Sequence, residues 1–192
     1  PNFLNLYLSK FKYVRYGKKG EPLFVKFGSI DDARLGTGFI MGNYSNTLFM
    51  PDTRIFGLSF DLDSGLFNFP LLDIETFFSD ISRFDLFGGR LYFRPLFAID
   101  NAILKNLQIG TTLVTDLDPY RYAGDTTITE AEAMGIDTNE ARVLAFGGDI
   151  ILPILSNDAF SLATFGDIAT LKGESVGGMV GLGGRIIKII TY

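Results

Sequence analysis

The chain of 192 residues holds 22 Gly, 19 Phe and 8 Tyr, no His, Cys or Trp, and a net charge of −5. Without imidazole or thiol it lacks the usual nucleophile–base pairs, thiol chemistry and nearly all zinc sites, so no enzyme activity and no cofactor are expected. The acidic balance argues against a phosphate-binding surface, which makes nucleic acid an unexpected partner.

Although 47% of the residues are hydrophobic, no stretch offers the roughly 20 consecutive apolar residues of a bilayer-spanning helix. The chain starts at Pro1 and its last residues, Arg185 to Tyr192, read as a strand in progress, so one domain that is a fragment of a longer chain is expected. The lack of Cys fits passage through an oxidising compartment.

Apolar residues recur with period two and almost nowhere with period 3.6, which predicts an all-β antiparallel meander of about ten strands. It would form a β-barrel or an incomplete, curved part of one. The first strand runs from Phe3 to Tyr16 and ends at the turn Gly17 to Pro22. The second is Leu23 to Gly28, turned by Ser29 to Arg34, and the third is Leu35 to Gly42, which leads into the polar loop Asn43-Tyr44-Ser45-Asn46.

Ile55 to Leu62 alternates Phe56, Leu58, Phe60 and Leu62 with Gly57, Ser59 and Asp61. Asp85 to Arg94 alternates Phe87, Gly89, Leu91 and Phe93 with Gly88, Arg90, Tyr92 and Arg94. Leu107 to Leu117 and Arg142 to Leu152 repeat the pattern, and Phe160 to Leu171 and Val176 to Tyr192 close the chain. Between Leu117 and Ala141 the period breaks. Thr127 with Glu130 reads as a capping box and Gly135 as a stop, predicting one short helix over 128 to 134 in a loop at a barrel mouth.

One apolar and one polar or glycine face per strand suits a soluble sandwich with the apolar face inward, or a membrane barrel with it outward against lipid. Long strands favour the second, as do aromatics near strand ends: Tyr13, Tyr16, Phe49, Phe56, Phe84, Phe93 and Tyr192. Phe56, Leu58, Phe60, Phe87, Leu91, Phe93, Ile109, Leu113, Leu144 and Phe146 are then expected on an outer, accessible, convex face. The runs Leu35 to Thr47, Gly88 to Pro95 and Ile109 to Thr112 ahead of Asp116 to Pro119 resemble segments of bacterial outer-membrane β-barrel proteins of the spirochaete type, a porin-like group, over residues 23 to 155. The resemblance implies an outer-membrane location and passive transport, and transfers no catalytic residue.

Charged side chains on the polar faces are the candidate lumen residues: Asp61, Asp73, Glu75, Arg90, Arg94, Asp116, Asp149 and Asp167. A hairpin centred between Ile81 and Ser82 sets Asp73 opposite Arg90, with Glu75 diagonal and the partner instead where a bulge shifts the register. Such a group is either a charged constriction that selects solutes or an ion pair that fills and rigidifies a small barrel, and the second is favoured. Asp116, Asp118 and Asp125, with Asp137 and Glu140, carry oxygen ligands suited to Ca²⁺ but lack the regular calcium-loop spacing, so a solvated acidic loop is expected rather than a metal site. The loop Asn43 to Asn46 is read as a side-chain-stabilised turn.

The expected function is an outer-membrane barrel, porin-like or structural, with membrane lipid and small solutes as partners. The alternatives are a soluble barrel or sandwich holding an apolar ligand inside, and an adhesin whose barrel anchors the loop 118 to 141.

Overall fold

A computed structural model of the chain describes residues 11–48, 50, 53–69, 71–157, 160–172 and 175–186, with backbone alone for 185 and 186. Nine strands form one antiparallel sheet in sequential order. They are β1 (Tyr13–Tyr16), β2 (Leu23–Gly28), β3 (Gly57–Asp63), β4 (Leu72–Phe78), β5 (Leu86–Phe93), β6 (Gln108–Asp116), β7 (Val143–Ser156), β8 (Phe160–Leu171) and β9 (Ser175–Ile186). Among the described residues β1 and β9 are the free edges, so the meander is open. The expected third strand, Leu35 to Gly42, is not in the sheet. Phe49, Tyr192 and the first residues of the expected opening strand lie outside the described residues.

Because side chains alternate along each strand and the registers are unbroken from β2 to β6, the two faces sort into rows that cross the sheet. One row runs Leu23, Leu62, Ile74, Leu91; another runs Phe27, Leu58, Phe78, Phe87; a third runs Leu72, Phe93, Ile109, Ile150. The Phe78 and Phe87 rings stack at 6.0 Å between centroids. Among the described residues no segment lies over this face: Leu91, Phe93, Leu113 and Phe146 are exposed, and none of the ten side chains expected outward is buried.

The opposite face is covered, and what covers it is the segment predicted to be a third strand. Residues 30–46 fold back as a hairpin, with Ala33 and Tyr44 exchanging both backbone hydrogen bonds at 2.9 Å and the Leu35 N–H bonded to the Met41 carbonyl. The turn needs left-handed backbone at Gly36 and Gly38, with φ of +54° and +91°. Alternation alone does not separate a sheet strand from such an inner hairpin, which is why the sequence pattern misassigned it. Ile30, Ala33, Leu35 and Met41 pack with Phe77 of β4 as the apolar core, and Tyr44 meets the Phe77 ring edge-on at 4.8 Å.

Glycines on the covered face make room for the hairpin. A Cβ at Gly57 would stand 2.7 Å from Ile30 Cδ1 and 2.7 Å from the Phe78 carbonyl, and one at Gly88 3.0 Å from Leu35 Cδ1. Gly57→Ala is therefore expected to destabilise by ~1–3 kcal/mol through overpacking. Gly89→Ala, on the uncovered face with its nearest neighbour at 3.4 Å, is expected to be near neutral. Urea midpoints of the two variants check this.

The helix α1 is Asp125–Ala133, capped by the backbone of Gly124 without a side-chain bond. It starts before Thr127, which lies inside it, so the expected capping box does not form; Gly135 follows the end with φ +80°. Among the described residues no helix is long and apolar enough to cross a membrane.

Candidate functional site

The charged residues of the covered face meet beneath the hairpin. The β4–β5 register sets Glu75 opposite Arg90 and Asp73 opposite Tyr92, which corrects the expected Asp73–Arg90 pair. The turn centres one residue later than expected, because the Ser79 N–H pairs with the Leu86 carbonyl and Phe84 takes a left-handed φ of +58° to close it. No bulge is involved.

Three pairs of carboxylates face each other directly across adjacent strands: Asp63 with Asp73, Asp61 with Glu75, and Asp149 with Asp167. Like charges so placed repel. Each pair is met by a donor from elsewhere in the chain. Arg94 Nη2 lies 2.6 Å from Asp63 Oδ2 and 3.0 Å from Asp73 Oδ2. Lys19, from the β1–β2 turn, places Nζ 2.8 Å from Asp61 and 3.3 Å from Glu75.

Arg90, 2% exposed, forks to Asp149, with Nε donating to Oδ2 at 2.9 Å and Nη2 to Oδ1 at 2.5 Å, while Nη1 donates to Glu75 at 2.9 Å. The Asp149 contact joins β5 to β7 across β6, a reach of about 9.6 Å at ordinary strand spacing. It is open only because Gly110 stands between: a Cβ there would lie 2.6 Å from Asp149 Oδ2 and 2.8 Å from Arg90 Nε. The guanidinium carbon also sits 4.2 Å from the Tyr92 ring centre.

Asp167 receives the hydroxyl of Thr37 at 2.7 Å, from the hairpin tip, and the Gly36 N–H donates to Glu75 at 3.1 Å. The tip therefore completes the set. At the other end of the hairpin Lys26, buried on β2, donates to Asp31 at 2.6 Å and Asp32 at 2.9 Å. Its ammonium holds the Asp31 carboxyl below the ordinary aspartate range.

Of the sequence candidates, Asp61, Asp73, Glu75, Arg90, Arg94, Asp149 and Asp167 are brought together. Asp116 is apart, at the far end of β6, where it accepts the Asp118 N–H at 3.0 Å. The candidate calcium residues Asp116, Asp118 and Asp125 do not converge: Asp118 holds Arg121 at 2.9 Å, Asp125 opens α1, and among the described residues no group of three such side chains is placed to hold a metal.

Sequence reasoning missed Lys19, Lys26, Thr37 and Asn46. Lys19 and Thr37 act across the chain and leave no local signal, whereas Lys26 pairs with carboxylates only five and six residues on. Asn46 was read as a turn residue, yet it is 2% exposed and its side chain accepts from Ile30 N–H at 2.8 Å and donates to the Ser79 carbonyl at 3.0 Å.

The site combines ion pairs with a sheet face covered by the hairpin. No family model, curated protein or solved structure matches the chain.

Proposed function

We propose that the chain is part of a bilayer-spanning β-barrel of the bacterial outer-membrane type, in which lipid covers the apolar face and the inner hairpin fills the lumen. The observation that carries this is the inverted sheet: Arg90, Asp73 and Asp149 are buried, while Ile150, Ile168, Val180 and Leu182 on the other face are exposed, Val180 at 87%. A water-facing sheet has the reverse arrangement, and a contiguous apolar face of this size calls for a cover.

Between Ile150, Ile168 and Val180 the glycines Gly148, Gly166 and Gly178 leave an apolar groove of about 710 Å³, a surface suited to acyl chains. Strands β6–β9, with 9 to 14 residues, meet the 9–11 residues of a tilted spanning strand, whereas β2–β5, with 6 to 8, are shorter. The exposed Tyr16, Phe84 and Phe93 fit an interfacial aromatic belt, whereas Tyr13 lies on the covered face beside Lys26. The resemblance to spirochaete-type porin-like barrels points to the same location. With its lumen occupied, the barrel in this state is closed, structural or gated, rather than an open diffusion pore.

Residues 1–192 lack Trp, so each introduced tryptophan adds one emitter, read as the difference from the parent's own emission. In the full-length protein, Ile150→Trp should be quenched by lipids brominated along the acyl chain, and Tyr122→Trp, in the loop after β6, should not. A protein that stays monodisperse without detergent, with Ile150→Trp and Tyr122→Trp equally quenched by aqueous iodide, would overturn the proposal.

A further inference from the structure

The inner hairpin is held by a buried amide at its base, by the packing of Leu35 and Met41 on Phe77 along its arms, and by hydrogen bonds to carboxylates at its tip. At its base Ser29, Ile30 and Asn46 are 1 to 2% exposed, and the Asn46 side chain reaches the backbone of Gly28, Ile30, Ile55 and Ser79. Its tip, residues 36 to 40, is half-buried and built on Gly36 and Gly38. Two hydrogen bonds hold that tip to the sheet, Gly36 N–H to Glu75 and Thr37 Oγ1 to Asp167, both accepted by carboxylates.

On either side of the hairpin lies a recess. A polar cavity of about 260 Å³ reaches Lys19, Asp61 and Arg94 at the β5 C-terminal end. Another of about 190 Å³ reaches Ser79, Asp85 and Asp116 at the β5 N-terminal end. The two therefore open at opposite ends of the same strands, with the hairpin between them.

We infer that the hairpin is a gate hinged at Asn46, and that when its tip leaves the latch on Glu75 and Asp167, and Leu35 and Met41 leave Phe77 with it, the two recesses join into a conducting path for small hydrophilic solutes. This rests on the bilayer-barrel reading above. The closed state keeps its latch carboxylates occupied by the tip. Opening exposes them and Arg90, so the path it creates is lined by charge of both signs.

The test compares the full-length protein with three variants in planar bilayers. Thr37→Val removes one latch bond. Gly36→Ala places a Cβ 2.8 Å from Arg90 Cδ at a φ of +54° and pushes the tip away. The third, Thr37→Cys with Asp167→Cys, with any Cys outside residues 1–192 replaced by Ser since these residues hold none, is joined by a short bis-methanethiosulfonate linker, which forms a disulfide with each thiol, releases methanesulfinate and fixes the tip.

Thr37→Val should raise the ratio of open to closed time roughly tenfold, the effect of one charge-assisted hydrogen bond, and Gly36→Ala should raise it further. The linked double variant should remain shut, while the same variant unlinked conducts at least as much as the parent. Each variant also carries Ile150→Trp, so that quenching by brominated lipid reports insertion independently. Inserted variants whose conductance equals the parent's, linked or not, overturn the gate and leave the barrel reading standing. Failure of insertion in the parent itself removes both.

Discussion

Arg90→Ala is expected to cost ~3–5 kcal/mol of stability, because it strands two carboxylates in a buried site. Glu75 and Asp149 both direct oxygens at the guanidinium, and their strand neighbours Asp61 and Asp167 are also acidic. Without Arg90, the Asp149–Asp167 pair keeps only the hydroxyl of Thr37. Arg121 provides the comparison. It pairs with Asp85 and Asp118 at 3.6 and 2.9 Å, but at 30% exposure, so Arg121→Ala should cost less than ~1 kcal/mol.

Urea unfolding of the refolded protein in detergent separates the two. Adding Glu75→Gln and Asp149→Asn to Arg90→Met should recover much of the loss, since it is the unpaired charge rather than the missing bond that costs most. Equal midpoints for Arg90→Ala and Arg121→Ala would show that the buried cluster is solvated and carries no such penalty.

How far this site was legible depends on how each residue signals its place. The face of Asp61, Arg90 and Asp149 follows from period two, because each is followed by an apolar side chain, Leu62, Leu91 or Ile150, that must point the other way. Register does not follow so simply. A one-residue shift in the β4–β5 turn exchanged Asp73 for Glu75 as the partner of Arg90, and that turn is set by the left-handed Phe84, a residue type with no turn preference.

The hairpin was misassigned for a deeper reason. Leu35, Thr37 and Phe39 alternate with Gly36, Gly38 and Ile40 just as in a sheet strand. What sets the segment apart is that it packs on a face already polar, and this is visible only once the glycines of β3, β5 and β6 are seen as slots. Those same glycines looked like the small residues of a lumen wall. They are small because Ile30, Leu35 and the Arg90–Asp149 pair stand over them.

Asn46 gives the second large effect, and its substitutions can be ordered by atom. Its Oδ1 accepts the Ile30 N–H at 2.8 Å, and its Nδ2 faces the carbonyls of Ser79, Ile55 and Gly28 at 3.0, 3.4 and 3.4 Å. Asn46→Ala leaves the Ile30 donor and the Ser79 acceptor buried without that partner, at ~1–3 kcal/mol each. Asn46→Asp keeps the shape and the bond from Ile30 but turns the three carbonyls toward an anion. At neutral pH it should therefore be more destabilising than Asn46→Ala, although it is the closer isostere.

The sign of its pH dependence follows. Burial and the carbonyls raise the folded-state pKa of the introduced Asp above its unfolded value near ~3.9. The penalty is thus small below that value, where the acid is neutral and its O–H donates to one carbonyl, and it grows as pH rises toward the raised folded-state value. Urea midpoints of Asn46→Asp and Asn46→Ala, each referred to the parent at the same pH, should cross, with Asp the better tolerated at about pH 4 and Ala at about pH 8. Parallel curves would mean that position 46 is hydrated, and that the hairpin base is held by the packing of Ile30 and Tyr44 rather than by this amide.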